Sequence, residues 1–323
     1  MKKVEFTYPS HDGKTQIHAI CWEPDEKPAA VLQISHGMVE YIDRYDEFAA
    51  FLTRQGYVVV GNDHLGHGKS VQDDSWLGYF AEKEGNKVVL RDIHRLRLMI
   101  QKRFPDVPYF ILGHSMGSFL VRQYLCLHGS GLAGAIIMGT GHQPRIATAF
   151  GMALCKTMAL FTGWHYRSFL VDAMAFGGYN RKFGSLKGRQ WLSRNEENVA
   201  AYVKDPLCTY RFTLNGYYNL FYSIHMLSDE EILDKMPKSL PVFLVAGEDD
   251  PVGNAGESVK KVYEQFKRLG MKDVTLKLYP QDRHEILNEV DREDVYRDIF
   301  HWMEYMRAEK RGLSVNTTFR LLQ

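Results

Sequence analysis

Four short apolar runs, Ala29–Ser35, Tyr57–Asp63, Tyr109–Gly113 and Gly134–Gly139, alternate with amphipathic helical patterns in the first half of this chain. Each run is rich in β-branched residues and closes on glycine or a polar residue, which is the pattern of a strand buried on both faces. Between them Val89, Ile93, Leu96 and Ile100 recur at the spacing of one helix face, and Tyr45–Gly56 reads as another helix ended by its glycine. Strands alternating with helices specify a mostly parallel sheet covered on both faces. The N-terminal "VEFTYP" and "QIHAICW" have no helix between them and are expected to pair as an antiparallel edge.

The rhythm stops near Gly141 and resumes at Pro241 with "PVFLVAG". A helix carrying Val259, Val262, Phe266 and Leu269 follows, stopped by Gly270, then the strand "VTLKLY" and a last helix with Val295, Ile299, Trp302 and Met306 on one face. Residues 141–240 show helical stretches without strands. The reading is one α/β domain, with core segments 1–140 and 241–307, an inserted helical cap at 141–240 and a loosely attached tail at 308–323.

A net charge of +1, with 24% charged residues, gives no electrostatic reason to expect a nucleic-acid partner. "MKKVEFTYPS" alternates apolar and polar residues, unlike a secretory signal, and no apolar run approaches the ~18 residues of a membrane span. Cys21, Cys126, Cys155 and Cys208 are scattered without a C-x-x-C pair, so neither a disulfide framework nor a thiolate metal site is expected. A reducing cytoplasm is the expected compartment.

The third strand runs directly into Gly113-His-Ser-Met-Gly117, and a good helix begins at once. Alone, G-x-S-x-G is a weak match. At a sharp strand-to-helix turn it becomes specific, because the turn forces the serine to positive φ and brings the two backbones together, so its neighbours two residues away must be small. A serine that merely capped the helix would need no flanking glycines. Ser115 is therefore read as a nucleophile presented at the carboxyl end of the sheet.

A serine hydroxyl needs a base, and the base needs an orienting acid. On such an elbow the acid and then the histidine follow in the chain, each after a late strand. "VFLVAG" ends in Glu248-Asp249-Asp250-Pro251 and "VTLKLY" leads to "PQDRHE", which selects His284. Pro251 leaves the preceding residue extended and favours Asp250 over Asp249, although spacing alone does not separate them. Oxyanion donors are expected at the N–H of Met116, after the nucleophile, and of Met38, in the loop after an earlier strand. Asp63, His64 and His67 lie in a Gly-rich loop without a carboxylate pair, so no metal site is expected. His114 is expected to pack or hydrogen-bond beneath the elbow.

"SHGMVEYIDRY", "GNDHLGHGKS", "GHSMGS", "GEDDPVG" and "DRHE" occur in the order found in the monoacylglycerol lipase and lysophospholipase branch of the α/β-hydrolase superfamily, which overlaps families described as serine aminopeptidases. The resemblance spans about Val4–Met306, and "WLSRNEENVAAYVKDPLC" resembles cap segments of bacterial members. It implies an α/β-hydrolase fold with a helical cap, a Ser115–His284–Asp250 triad, an oxyanion hole at Met38 and Met116, and no cofactor. In one departure, Met38 and Val39 follow His36-Gly37 where lipases of this branch usually carry small residues, which would narrow the entrance.

The insertion is rich in aromatics, among them Phe150, Phe161, Trp164, Tyr166 and Phe169, and Lys156 is the one charge in "TAFGMALCKTMALF". Such a cap would close an apolar slot suited to an acyl chain and would also offer a face for transient contact with a membrane surface. The same side chains would serve equally as the cap's own core. The expected activity is hydrolysis of small-molecule esters, of medium-chain or monoacyl lipid type. A peptidase, an acyltransferase and a catalytically silent binding module are the rival readings, and the sequence is silent on oligomeric state.

Overall fold

The structure is a computed structural model that describes residues 1–184 and 188–310. Eight strands form one sheet: β1 (Lys2–Pro9), β2 (Gln16–Glu23), β3 (Ala30–Ser35), β4 (Tyr57–Asn62), β5 (Tyr109–His114), β6 (Gly134–Met138), β7 (Val242–Gly247) and β8 (Val274–Tyr279). Their spatial order is β1-β2-β4-β3-β5-β6-β7-β8. β1 pairs antiparallel with β2, as expected, and β2 pairs antiparallel with β4. Every later pairing is parallel.

Helices α1 (Asp46–Arg54), α2 (Gly85–Arg103) and α3 (Met116–His128) connect the early strands, and α9 (Glu257–Arg268) and α10 (Arg292–Lys310) accompany the late ones. Between β6 and β7 lie α4 (Arg145–Thr162), α5 (Phe169–Phe176), α6 (Glu196–Lys204), α7 (Leu214–Met226) and α8 (Glu230–Leu233), with no strand among the described residues of this stretch. α10 runs past the expected boundary at residue 307, and the tail beyond Lys310 lies outside the described residues.

Period-2 alternation along the strands divides the core into two layers. Val58 and Val60 pack with α2, α3 and α9 on one face, while Tyr57 and Val59 pack with α1 and α10 on the other. The helix faces legible as periodic patterns are the buried ones: Val89, Ile93, Leu96 and Ile100 on α2, and Val295, Ile299, Trp302 and Met306 on α10. The first layer continues without a break into Leu214, Tyr217 and Leu220 of α7, so this helix shares the core of the sheet domain. All four cysteines are free and buried. Among the described residues no helix is long and apolar enough to cross a membrane.

Candidate active site

The turn from β5 into α3 is closed by local sterics. A Cβ on Gly113 would run into the Gly117 carbonyl, and one on Gly117 would run into the backbone of Ser35 on the neighbouring strand. Between them Ser115 is held at φ 52 and ψ −118, an unfavourable conformation for a residue with a Cβ. Its backbone N–H bonds to the Met138 carbonyl at 3.0 Å. Ser115 occupies the N-cap position of α3, yet its hydroxyl makes no capping bond. The strain therefore does not serve a helix cap; it points the hydroxyl elsewhere.

The turns after β7 and β8 deliver the other two candidates. His284 Nδ1 lies 3.0 Å from both carboxylate oxygens of Asp250, and Val252 N–H donates to Asp250 Oδ1 at 2.8 Å. Asp250 is 0% exposed and His284 is buried. A proton on Nδ1 satisfies Asp250 and leaves Nε2 as an acceptor. Asp249 instead points outward and pairs with Lys182, while Glu248 is exposed.

Ser115, His284, Met38 and Met116 all line one cavity of about 500 Å³. Among the described residues neither the Met38 nor the Met116 N–H has a backbone or side-chain acceptor. The preceding N–H, that of Gly37, is taken by the Glu40 carboxylate. Val39 sits at φ 56, a strained conformation for a β-branched residue, and Tyr202 of α6 donates to its carbonyl at 3.0 Å. The loop after β3 is thus held from both sides.

Glu40 belongs to a buried charge cluster to which the sequence reading assigned no role. Its carboxylate meets His114 Nδ1 at 2.9 Å and accepts from Tyr45 and Arg44, each at 3.1 Å. Arg44 also forms a two-pronged pair with Glu285 at 2.8 Å on each arm, and Asn198 of α6 donates to the same carboxylate at 2.8 Å. His114 Nε2 faces the His284 carbonyl at 3.2 Å. Both nitrogens of His114 therefore face acceptors, as a protonated imidazole requires. Burial pushes the His114 imidazole down, but Glu40 overrides it and the net direction is up. Burial likewise pushes the Glu40 carboxyl up, and His114 and Arg44 bring it below the usual carboxylate range. Two positive and two negative groups close on one another where the loop after β3, the turn from β5 into α3, the loop after β8 and α6 meet. The one signal in the sequence was a pair of charges, Glu40 and Arg44, four residues apart and just after the His36-Gly37 turn.

Asp63, His64 and His67 are brought close, but as a brace. Asp63 accepts from Ile42 N–H and Lys69 N–H, both at 2.8 Å, and contacts His18 Nδ1 at 2.9 Å. His64 meets Ser35 Oγ at 3.0 Å through Nε2, and its N–H donates to His36 at 2.9 Å. Burial drives the His64 imidazole down to about 3 and that of His67 to about 4. Among the described residues no group of three or more His, Cys, Asp or Glu is arranged to hold a metal ion.

Apolar side chains from the stretch between β6 and β7, Phe150, Phe176, Leu220, Phe221 and Ile224, line the cavity together with Phe119 of α3, interspersed with the polar Thr148, Asp172 and Arg189. Trp191 packs its ring 5.1 Å from that of His284 and accepts the His284 N–H through its carbonyl at 3.4 Å. Arg194 anchors the same segment to the core on Asp282, Glu289 and Asp291.

A family model described as "Serine aminopeptidase, S33" (Hydrolase_4) matches residues 26–291. The chain is 27% identical to the monoglyceride lipase of Rattus norvegicus over 296 residues, 89% of this chain and 86% of that protein. It is 25% identical to the monoacylglycerol lipase of Mycolicibacterium smegmatis over 300 residues, covering 90% of this chain and 94% of that one. Among solved structures, a thermostable carboxyl esterase from Bacillus coagulans, in complex with glycerol, superimposes with a TM-score of 0.88 at 30% identity, covering 95% of this chain and 99% of that chain.

Proposed function

The chain belongs to the serine aminopeptidase S33 family of α/β-hydrolases, and on that footing we propose that it is a serine hydrolase that cleaves carboxylic esters, with monoacyl lipid or medium-chain acyl esters as substrates. The observation that carries this reading is Ser115, strained at φ 52, uncapped, and in one cavity with a histidine bonded to a buried aspartate. In the proposed mechanism His284 Nε2 takes the Ser115 proton as Oγ attacks the ester carbonyl. The oxyanion accepts from the Met38 and Met116 N–H groups, and Asp250 stabilises the imidazolium. His284 returns the proton to the departing alkoxide, which leaves an acyl-enzyme and a free alcohol. Water, deprotonated by His284, then attacks the acyl carbonyl and releases the acid and Ser115.

The apolar lining supports an acyl substrate, and the names of the relatives point the same way. A peptidase on the same triad would need a free carboxylate in the cavity for a substrate amino terminus. The acids that line it are engaged: Glu40 and Glu285 by Arg44, Asp172 by Tyr217 and Arg211. Glu196, Glu197, Glu230 and Glu231 are exposed and do not line the cavity. The stretch 141–240 is read as the cap that shapes the acyl slot, and its exposed apolar side chains as a face for transient lipid contact. The cytoplasm remains the compartment of this reading.

The test is turnover of p-nitrophenyl esters from acetate to palmitate, with acid release from a 1-monoacylglycerol measured alongside. A rate that peaks at medium or long chains, and falls by several orders of magnitude in Ser115→Ala and His284→Ala, is expected. A loss below about tenfold in either variant would remove that residue from the mechanism. Equal rates for acetate and long-chain esters would remove the acyl slot.

A further inference from the structure

Helices α4 and α7 wall a second recess, turned away from the cavity over Ser115. On α7, Leu220, Phe221 and Ile224 face the cavity, whereas Asn215, Tyr218, Asn219 and Tyr222, at i, i+3, i+4 and i+7, face the recess. The recess holds about 310 Å³ and is completed by the first turn of α2, by Lys156 of α4 and by Trp164. That is the lower end of the size range of small-ligand sites.

Three observations give it a chemistry. Asn86, on the first turn of α2, lines the recess and is 2% exposed, yet neither Oδ1 nor Nδ2 of its carboxamide has a partner in the protein. The two carboxamides beside it are spent. Asn215 accepts from Phe80 N–H at 2.9 Å and donates to the Ala81 carbonyl at 2.8 Å. Asn219 accepts from Asn86 N–H at 2.8 Å and donates to the Asn215 carbonyl at 2.9 Å. A buried carboxamide left with both a donor and an acceptor free is costly unless something polar meets it.

Charge supplies the second observation. The acids that line the recess are each matched by a lysine, Glu82 by Lys14 at 2.7 Å and Glu84 by Lys87. Lys156 has no carboxylate partner among the described residues; its ammonium lies 5.3 Å over the Tyr218 ring. The third is aromatic: Trp164 packs edge-on to Tyr218 at 5.6 Å, and Tyr218 stacks with Tyr222 at 6.4 Å. One uncompensated positive charge, a free amide and an aromatic wall together fit an anion with an apolar body.

We propose that this recess is a second binding site, for a small monocarboxylate with an apolar tail. The carboxylate pairs with Lys156 and, once the sealed Asn86 carboxamide turns toward it, accepts from Asn86 Nδ2, and the tail lies against Trp164, Tyr218 and Tyr222. The recess stands on its own residues; the choice of carboxylate over other anions rests on the hydrolase reading, because that reaction releases acids of this class.

The test is calorimetric titration of octanoate into protein whose Ser115 carries a long-chain alkyl phosphonate, so that the acyl cavity is already filled. Saturable binding at one site is expected, with a Kd of about 1 mM or tighter. Lys156→Glu should weaken it by about tenfold or more, and Lys156→Arg should restore most of it. Lys156 is exposed, so its replacement leaves the packing intact, and an unchanged melting temperature checks this. No saturable binding to the phosphonylated protein, or equal binding in wild type and Lys156→Glu, would overturn the proposal. Failure of the phosphonate to attach would count against the hydrolase reading instead. The recess is then judged by the same Lys156→Glu comparison on unmodified protein.

Discussion

Asp249 and Asp250 are neighbours in the chain and opposites in surroundings. Asp250 is sealed from solvent with its carboxylate on His284 Nδ1 and Val252 N–H, whereas Asp249 pairs with Lys182 at the surface. Asp250→Asn is expected to lower kcat by roughly 10³- to 10⁴-fold by disturbing the histidine tautomer, while Asp249→Asn stays within about twofold. Steady-state kinetics of the two variants decides, and the reverse ranking would move the acid. Glu40 invites a different test. Its carboxylate accepts the Gly37 N–H and so sets the loop that presents the Met38 N–H. Glu40→Gln keeps the shape and removes the charge that Arg44 and His114 face; kcat should fall by about 10- to 100-fold with KM little changed. Unchanged kcat with a lowered Tm would make the cluster a structural one. Ser115, His284 and the elbow glycines were legible in the sequence because local sterics and chain order constrain them. The role of Glu40 was not, because beyond its neighbour Arg44 the cluster is completed from segments far away in the chain, by His114 and, through Arg44, by Glu285.

Among the elements, α2, α9 and α10 were readable because their apolar residues recur on the face that meets the sheet. α4 was misleading in the same terms. It is nearly all apolar, yet among its residues Thr148, Gly151 and Cys155 are the buried ones. Of its other apolar side chains, Ala147 and Phe150 line the cavity, Leu154, Met158 and Ala159 pack half-buried against the core, and others face outward. Leu160 is 83% and Phe161 85% exposed, with Ile146, Phe169 and Leu170 also exposed on α4 and α5. Composition cannot tell a buried helix from one whose apolar surface meets a cavity or solvent. Neither Leu160 nor Phe161 lines the cavity. Replacing both by Asp is therefore expected to reduce co-sedimentation with phosphatidylcholine–phosphatidylglycerol vesicles several-fold, while p-nitrophenyl butyrate turnover stays at the wild-type rate. Vesicle binding equal to wild type would detach this face from lipid contact.

At the scale of the molecule the buried histidines set the acid limit. His36, His64 and His67 pack against one another, with ring centroids 4.2 Å apart for His36 and His64 and 5.2 Å apart for His36 and His67. Burial, together with the neighbouring imidazoles, holds His36 well below its ordinary value. Burial holds His64 near 3 and His67 near 4. An unfolded histidine titrates near 6.5, so between that pH and 4 the unfolded chain binds protons that the folded one refuses. The contribution of these three histidines is full above about pH 6.5 and falls as pH drops, by at most about 1.4 kcal/mol per pH unit for each, while His114 and His18, whose net direction is up, act in the opposite sense. Melting temperatures across pH 7.5 to 4 should decline over that window, with a shallower slope in His67→Gln; a flat profile would contradict the burial argument. The sequence by itself determined what short-range physics controls: the strand–helix alternation of a parallel sheet, the glycine-flanked turn that strains Ser115, and the order in which acid and histidine follow late strands. Tertiary structure alone decided the pairing of Arg44 with Glu285, the division of apolar residues between core, cavity and surface, and the free carboxamide of Asn86 in the recess that Lys156 also lines. These depend on contacts between residues tens to hundreds of positions apart, and no local pattern records which side chains the folded chain will bring together.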